Sequence, residues 1–412
     1  YDKLTETLGN NWQKEYIVWD MCCGVGNLEV KHSNPRNIYM STLDQADVDV
    51  MKATKTCVAA QRFQYDYLND DITDEGEIDY SLTNKIPEGL RKAIAEGKKI
   101  LVLINPPYAE SGVGIGGGNK GNVAKTKFAI SSMSDYGKAS NELFTQFVAR
   151  IFLEIPNATL AMFSKLKYIN APNFEKFRHV WNAQYLGGFI VHSKAFDGLK
   201  GNFPIGFLVW KTNKNSVVKM QITEVITDVL DKKAQAISEK VFYNLSNSAF
   251  LNSWIIRPKA NKMDVVALKN AVSPSTTKPV VTTWSDNSIC YMLCDSNDMQ
   301  HAVQTAIFSS VYRVGHDGGF YVNPENLSKA AVVFTVRRII KATWINDRDQ
   351  FLQPTEPIST DLKNDCLIWM LFNGSNLTAS ANDLEWNGKT WSIVNHFIPF
   401  TETEVKAPDR FE

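Results

Sequence analysis

Short apolar runs alternate with segments of helical periodicity between Tyr16 and Lys211, the signature of a mostly parallel sheet covered by helices on both faces. Residues 16–20 read as a buried strand ending in a glycine turn, and residues 37–43 as a second strand ending at Asp44. A helix is predicted over 46–60, with Val48, Met51 and Val58 as its apolar stripe. A short strand near Phe63 leads into a polar, acidic stretch at 69–79. Residues 99–104 include the unbroken run Ile-Leu-Val-Leu-Ile, which stops at Asn105-Pro106-Pro107 because proline has no N–H to give a sheet ladder. A glycine-rich loop at 112–121, a helix over 141–154, a strand at 160–164 and a helix near 174–181 follow. The apolar stretches 186–192 and 203–210 predict an antiparallel hairpin at the sheet edge.

Beyond residue 213 tryptophans become frequent, and hairpin turns are predicted at His316-Asp317-Gly318-Gly319 and Trp386-Asn387-Gly388-Lys389. The expected division is an α/β domain over 1–212 and an α+β domain over 213–412, since 412 residues exceed what one core usually serves. Hydrophobic residues at 44% and charged residues at 21% fit a globular protein, and no apolar run is long enough to span a bilayer. The net charge of zero does not advertise nucleic acid, so any such partner must be argued from local features. Six scattered cysteines point to free thiols in a reducing cytoplasm. Cys290, Cys294 and His301 lack a fourth ligand and match no zinc spacing, so no metal is expected. The start at Tyr1, with neither methionine nor leader pattern, reads as a trimmed or partial sequence.

The chemistry begins at Asp20-Met21-Cys22-Cys23-Gly24-Val25-Gly26-Asn27-Leu28-Glu29, a glycine turn that brings backbone close to whatever lies at the strand's C-terminal end. A dinucleotide fold wants a third glycine where Glu29 stands, to seat a pyrophosphate. S-adenosylmethionine carries no phosphate and makes no such demand. The plainer alternative is a tight strand-to-helix turn without a ligand. Asp44 is placed to accept both hydroxyls of a ribose, or to serve merely as a helix N-cap. Asp66 is placed to accept from an adenine amino group, or to be a solvated loop carboxylate.

Asn105-Pro106-Pro107-Tyr108 answers a specific difficulty, because the lone pair of an aromatic amine is delocalised into its ring and attacks poorly. An asparagine side-chain carbonyl and the Pro106 main-chain carbonyl can accept both N–H bonds and stabilise the tetrahedral amine as it forms. Tyr108 offers a flat face for a base to stack on. Without the preceding motifs, the tetrapeptide would read as an Asn-Pro turn closing a strand.

In this order, residues 20–29, Asp44, Asp66 and 105–108 resemble the N6-adenine DNA methyltransferases of restriction-modification systems in which the cofactor motif precedes the catalytic one. The likeness covers about the first half of the chain; Met21 and Cys22 stand where that family often has Pro and Ala. It implies a Rossmann-like S-adenosylmethionine-dependent methyltransferase fold with a final antiparallel hairpin, followed by a C-terminal target-recognition domain. It also implies S-adenosylmethionine held by Asp20, Cys22, Cys23, Gly24, Gly26, Glu29, Asp44, Asp66 and Asn105. Phe196 becomes the second aromatic against a flipped adenine, with Phe203 as its competitor, and Ser164 and Lys165 fall at the site wall. Double-stranded DNA becomes the partner, and a nuclease outside this chain a possible companion.

Position and composition suggest phosphate contacts at Lys120, Lys125 and Lys127, and a basic cluster at Arg337, Arg338 and Lys341, near Trp344 and Arg348, for phosphates or guanine edges. The competing readings are methylation of a protein glutamine side chain and a DNA-specificity subunit whose methyltransferase fold is inactive.

Overall fold

The computed structural model describes residues 1–109, 126–196, 198–199, 201–259, 263–266, 281–285, 287–293, 305–308, 311, 319–341, 343–346, 349, 351–355, 357–373 and 381–393. The chain divides into two compact units, Tyr1–Asn244 and Leu245–Glu412.

The first unit is built on a nine-stranded sheet whose strands are β1 (Ile17–Asp20), β2 (Ile38–Thr42), β3 (Gln61–Gln64), β4 (Ile100–Ile104), β5 (Thr159–Lys165), β6 (Ala183–His192), β7 (Pro204–Thr212), β8 (Glu224–Leu230) and β9 (Ala236–Tyr243). Their spatial order is β3-β2-β1-β4-β5-β7-β6-β8-β9. Neighbours from β3 to β5 run parallel, and β7 is antiparallel to both β5 and β6. This is the expected Rossmann-like sheet with an antiparallel hairpin. β4, between β1 and β5, is buried at every position, so it reads as an apolar run rather than an alternation. Around it Val18, Ile38, Met40, Leu101, Leu103, Ala161 and Val209 form the core. β6 and β7 approach so closely that a Cβ on Gly188 would stand 2.4 Å from the Phe207 carbonyl oxygen, a place only glycine fits.

Two expectations are corrected here. The β6–β7 hairpin is not the sheet edge: β8 adds in parallel to β6 and β9 pairs with β8. Val225, Thr227 and Val229 of β8 turn inward, an alternation that belongs to this sheet and carries the first unit to Asn244, beyond the expected boundary at 212. The helix predicted over 46–60 ends at Ala53, because Lys55 and Cys57 take left-handed backbone with φ of 56° and 47°. Val58, counted in its apolar stripe, is 64% exposed.

The second unit is α+β. Strands Ala306–Phe308, Cys290–Leu293 and Phe320–Val322 form an antiparallel sheet in that order. Helices Leu327–Ile339 and Thr360–Asn373 share a core with it, through Met292, Phe320, Val333, Phe334 and Met370. The predicted turn at Asn387-Gly388 joins strands Ala381–Trp386 and Lys389–Ile393, with φ of 52° and 70° at its two central residues, as a two-residue hairpin requires. Residues 316–318 of the other predicted turn, with Cys294 and His301, lie outside the described residues. Among the described residues no helix is long and apolar enough to cross a membrane.

Candidate cofactor and catalytic site

Parallel neighbours present their C-terminal ends in one row, and in open α/β sheets that row is where ligands bind. Asp20 closes β1, Asp44 follows β2 by two residues, Asp66 follows β3 by two, and Asn105 follows β4 directly. The four residues singled out along the chain therefore stand on four adjacent strands in the order β3-β2-β1-β4.

After β1 the chain enters the glycine turn. Asp20 Oδ1 accepts the Cys22 amide at 2.8 Å, and the Cys23 amide donates to the Ser41 carbonyl of β2 at 3.0 Å. Gly24 has φ +53° and open space on the side where a Cβ would stand, so a ligand can approach its backbone. Gly26, at φ +83°, packs so tightly that a Cβ would stand 2.4 Å from Met40 Cε. No helix follows this turn; residues 21–34 return towards β2 through successive turns.

The same path buries Glu29 against Asp20, each 1% exposed. Both Glu29 carboxylate oxygens meet no donor among the described residues. Burial, and next the Asp20 charge, push Glu29 up to about 10, and burial pushes Asp20 up to about 6 against the bond from Cys22. Unfolded acids titrate near pH 4. The folded values lie higher, so the pair stabilises fully below about pH 4, and that contribution is lost as pH rises towards the folded values. Glu29→Gln is therefore expected to flatten the fall in Tm between pH 5 and 9 and to raise Tm at the alkaline end. Parallel Tm curves for the two proteins would contradict it.

Asp44 is the N-cap residue of helix Gln45–Ala53 yet makes no side-chain capping bond, leaving its exposed carboxylate directed elsewhere than to the helix. Asp66 sits in a tight loop, its Oδ1 accepting the Leu68 amide at 3.2 Å and its Oδ2 the Asn69 side chain at 2.8 Å. That loop is fastened by a group the sequence reading passed over. Arg150 Nη1 donates to the carbonyls of Tyr67 and Asp70, the latter at 2.9 Å, both in the loop that Asp66 opens. Its Nη2 donates to the Tyr65 hydroxyl at 2.6 Å, and Glu154 accepts the Tyr67 and Tyr80 hydroxyls, each at 2.7 Å. The signal was present: a charged pair spaced i,i+4 in the otherwise uncharged Leu143–Glu154 helix.

At the end of β4 Pro106 is buried, while Asn105 and Tyr108 are half-buried. The Tyr108 hydroxyl donates to Asn105 Oδ1 at 2.7 Å, so this acceptor has one lone pair engaged and one left. The Tyr108 and Phe196 rings lie 6.2 Å apart between centroids at 85°, and Phe163 of β5 backs Phe196 at 5.4 Å. Phe196 is therefore the aromatic beside the tetrapeptide, whereas the ring of its competitor Phe203 covers Gly201.

The basic residues divide. Lys120 and Lys125 lie outside the described residues, and Lys127 pairs with Asp74 at 3.1 Å. Arg337 is 1% exposed, its guanidinium 4.1 Å from the centre of the Phe351 ring. The expected exposed contact at Arg337 is thereby corrected: with Ala330, Val333 and Phe334 it lies on the inward face of its helix, while Arg338 and Lys341 are exposed.

No protein-family model matches the chain, and no curated protein matches it. Several solved structures resemble it. The cryo-EM structure of a DrdV–DNA complex shares 12% identity over 71% of this chain and 33% of that one, with a TM-score of 0.38. The ATP-dependent Type ISP restriction-modification enzyme LlaBIII bound to DNA shares 10% identity over 71% of this chain and 23% of that one, with a TM-score of 0.40. The M protein of the Type I restriction enzyme EcoKI shares 10% identity over 53% of this chain and 46% of that one, with a TM-score of 0.31. The chain thus spans a third or less of the length of the first two. The Rossmann-like α/β fold of the first unit stands on the strand order and polarity of the sheet itself.

Proposed function

We propose that the chain is a DNA methyltransferase of a restriction-modification system that transfers a methyl group from S-adenosylmethionine to the N6 amino group of adenine. The observation that carries this reading is the placement of Asn105 and Pro106 at the end of β4 beside the edge-to-face aromatics Tyr108 and Phe196. Asn105 Oδ1 and the Pro106 carbonyl accept the two N–H bonds of the amine, and the acceptors stabilise the positive charge that grows on nitrogen. Tyr108 and Phe196 hold the base, which must leave the duplex to reach them.

The residues present fit the cofactor. Gly24 leaves its backbone open, Asp44 makes no side-chain bond to the helix and is the proposed partner of ribose hydroxyls, and Asp66, after β3, is the proposed acceptor for the adenine amino group. Asp20 and Glu29 are the proposed acceptors for a cationic group, whose charge would offset the burial that pushes both carboxyls up and, at Glu29, the Asp20 charge, with Cys22, Cys23, Gly26 and Asn105 proposed as further cofactor contacts. When bound, the cofactor supplies an electrophilic methyl on a sulfonium. The second unit is the proposed target-recognition domain, with Arg338 and Lys341 as exposed candidates for phosphate contacts; Lys120, Lys125 and Lys127 are candidates on the first unit. Double-stranded DNA in the cytoplasm is the proposed substrate, with a nuclease supplied outside this chain.

The test is transfer of labelled methyl from S-adenosylmethionine to duplex DNA of mixed sequence and, in parallel, to a cell protein extract, followed by nucleoside and amino-acid analysis. N6-methyladenine is the expected product. Label found only in methylglutamine, or only in cytosine, would overturn the proposal.

A further inference from the structure

A second polar assembly stands behind the tetrapeptide, on the side of β5. Ile104 of β4 is in register with Met162 of β5, so the residues that follow β4 run alongside the end of β5. Lys165 closes that strand, and its Nζ donates to the main-chain carbonyl of Tyr108 at 3.1 Å. The same ammonium lies 3.6 Å from Glu142 Oε2, the two side chains being 18% and 4% exposed. Lys167 Nζ meets Glu142 Oε1 at 2.7 Å. Glu142 is the N-cap residue of helix Leu143–Glu154, and the Leu143 amide donates to the Ala109 carbonyl at 3.1 Å.

Two consecutive carbonyls directly after the tetrapeptide's prolines are thus held, one by a lysine and one by the first amide of a helix. We infer that Lys165 is a positioning residue for methyl transfer: it acts through the Tyr108 peptide, fixing the orientation from which the Tyr108 ring meets the base and Asn105 meets the amine. This rests on the function proposed above. A hydroxyl bond from Tyr108 to Asn105 ties the ring to the amine acceptor, so a rotation at the Tyr108 peptide moves both. Displacement of reacting groups by about 1 Å can cost about 100-fold in rate. The ion pair with Glu142 limits the reach of the ammonium, and Lys167 leaves Glu142 paired when Lys165 is replaced. Removal of Lys165 is therefore a change in positioning rather than in folding.

The experiment compares the full chain with Lys165→Met and Lys165→Arg. Three quantities are read: the single-turnover rate of methyl transfer to duplex DNA at saturating cofactor, the Kd for S-adenosylmethionine, and hydrogen exchange of the peptide spanning the tetrapeptide. For Lys165→Met the rate is expected to fall about 10- to 100-fold with cofactor Kd and Tm unchanged and with faster exchange across the tetrapeptide. Lys165→Arg, which can still donate to the Tyr108 carbonyl, is expected to recover much of both. An unchanged rate, or a rate lost only in proportion to cofactor binding, overturns the inference. Should the unaltered chain fail to methylate DNA, the proposed function fails. The exchange measurement then decides about Lys165 separately, and unchanged exchange in Lys165→Met overturns its role.

Discussion

Replacing Asn105 with alanine is expected to slow methyl transfer to DNA by about 100- to 1,000-fold, the cost typical of removing one preorganised polar partner of a transition state. The amine begins with its lone pair spread into the base and ends as a tetrahedral, positively charged centre. Only an acceptor that strengthens its bonds along that path lowers the barrier. Asn105 Oδ1 is such an acceptor on a rigid mount, with β4 buried behind it and Pro106 buried beside it. Pro106 retains its carbonyl in the variant, so residual activity above background is expected, and cofactor affinity should change far less than rate. Asn105→Asp keeps an acceptor oxygen and should retain more activity than the alanine variant. Single-turnover rates with labelled cofactor, set beside cofactor Kd, check this; an alanine variant as fast as the parent would exclude the tetrapeptide from the chemistry.

Replacement of Arg150 by methionine is expected to destabilise the first unit by about 3–5 kcal/mol, the usual cost of stranding one partner of a buried charged pair. Glu154 would keep the bonds from Tyr67 and Tyr80 but lose its cation, and the Tyr67 and Asp70 carbonyls would lose their shared donor. Lysine is a poor substitute, because a single ammonium cannot match the fork that reaches two carbonyls and a hydroxyl. The expected readout is a Tm lowered by roughly 10 °C, at about 2–4 °C per kcal/mol for a unit of this size. A double variant with Glu154→Gln should recover part of the loss, since the two residues share one network. A loss below about 1 kcal/mol would show the network to be dispensable. The same substitution is expected to weaken cofactor binding in the protein that remains folded, because the carbonyls that Arg150 holds belong to the loop that begins at Asp66.

Much of the site was legible because its residues follow short buried strands. A parallel strand covered on both faces appears as an unbroken apolar run, and a residue at its end is conspicuous: Asn105 after residues 100–104, Asp20 after residues 17–19. What remained hidden depended on contacts distant in sequence. β8 alternates like the strand of a separate antiparallel domain, and nothing local reveals that it pairs with β6. Arg337 and Arg338 are adjacent and chemically alike, yet a helical step of 100° sends one over Phe351 and the other outward. The end of helix Gln45–Ala53 turns on left-handed Lys55 and Cys57, residue types that seldom announce such a conformation. Lys165 and Tyr108 are 57 positions apart in sequence, and the adjacency of β4 and β5 is what brings the lysine to the tyrosine carbonyl.

The outer strands β3 and β9 also define how the sheet ends. An exposed sheet edge is a row of unpaired amides and carbonyls, open to any extended chain that matches it. β3 is Gln-Arg-Phe-Gln, and β9 carries Ser238, Glu239 and Lys240 along its length. Had the sheet stopped at β6, its margin would instead have been the more apolar Tyr185-Leu186-Gly187-Gly188-Phe189-Ile190-Val191. The β8–β9 hairpin therefore acts as a collar, covering that border and ending the sheet in a strand whose middle carries Ser238, Glu239 and Lys240, side chains that disfavour pairing with another extended chain.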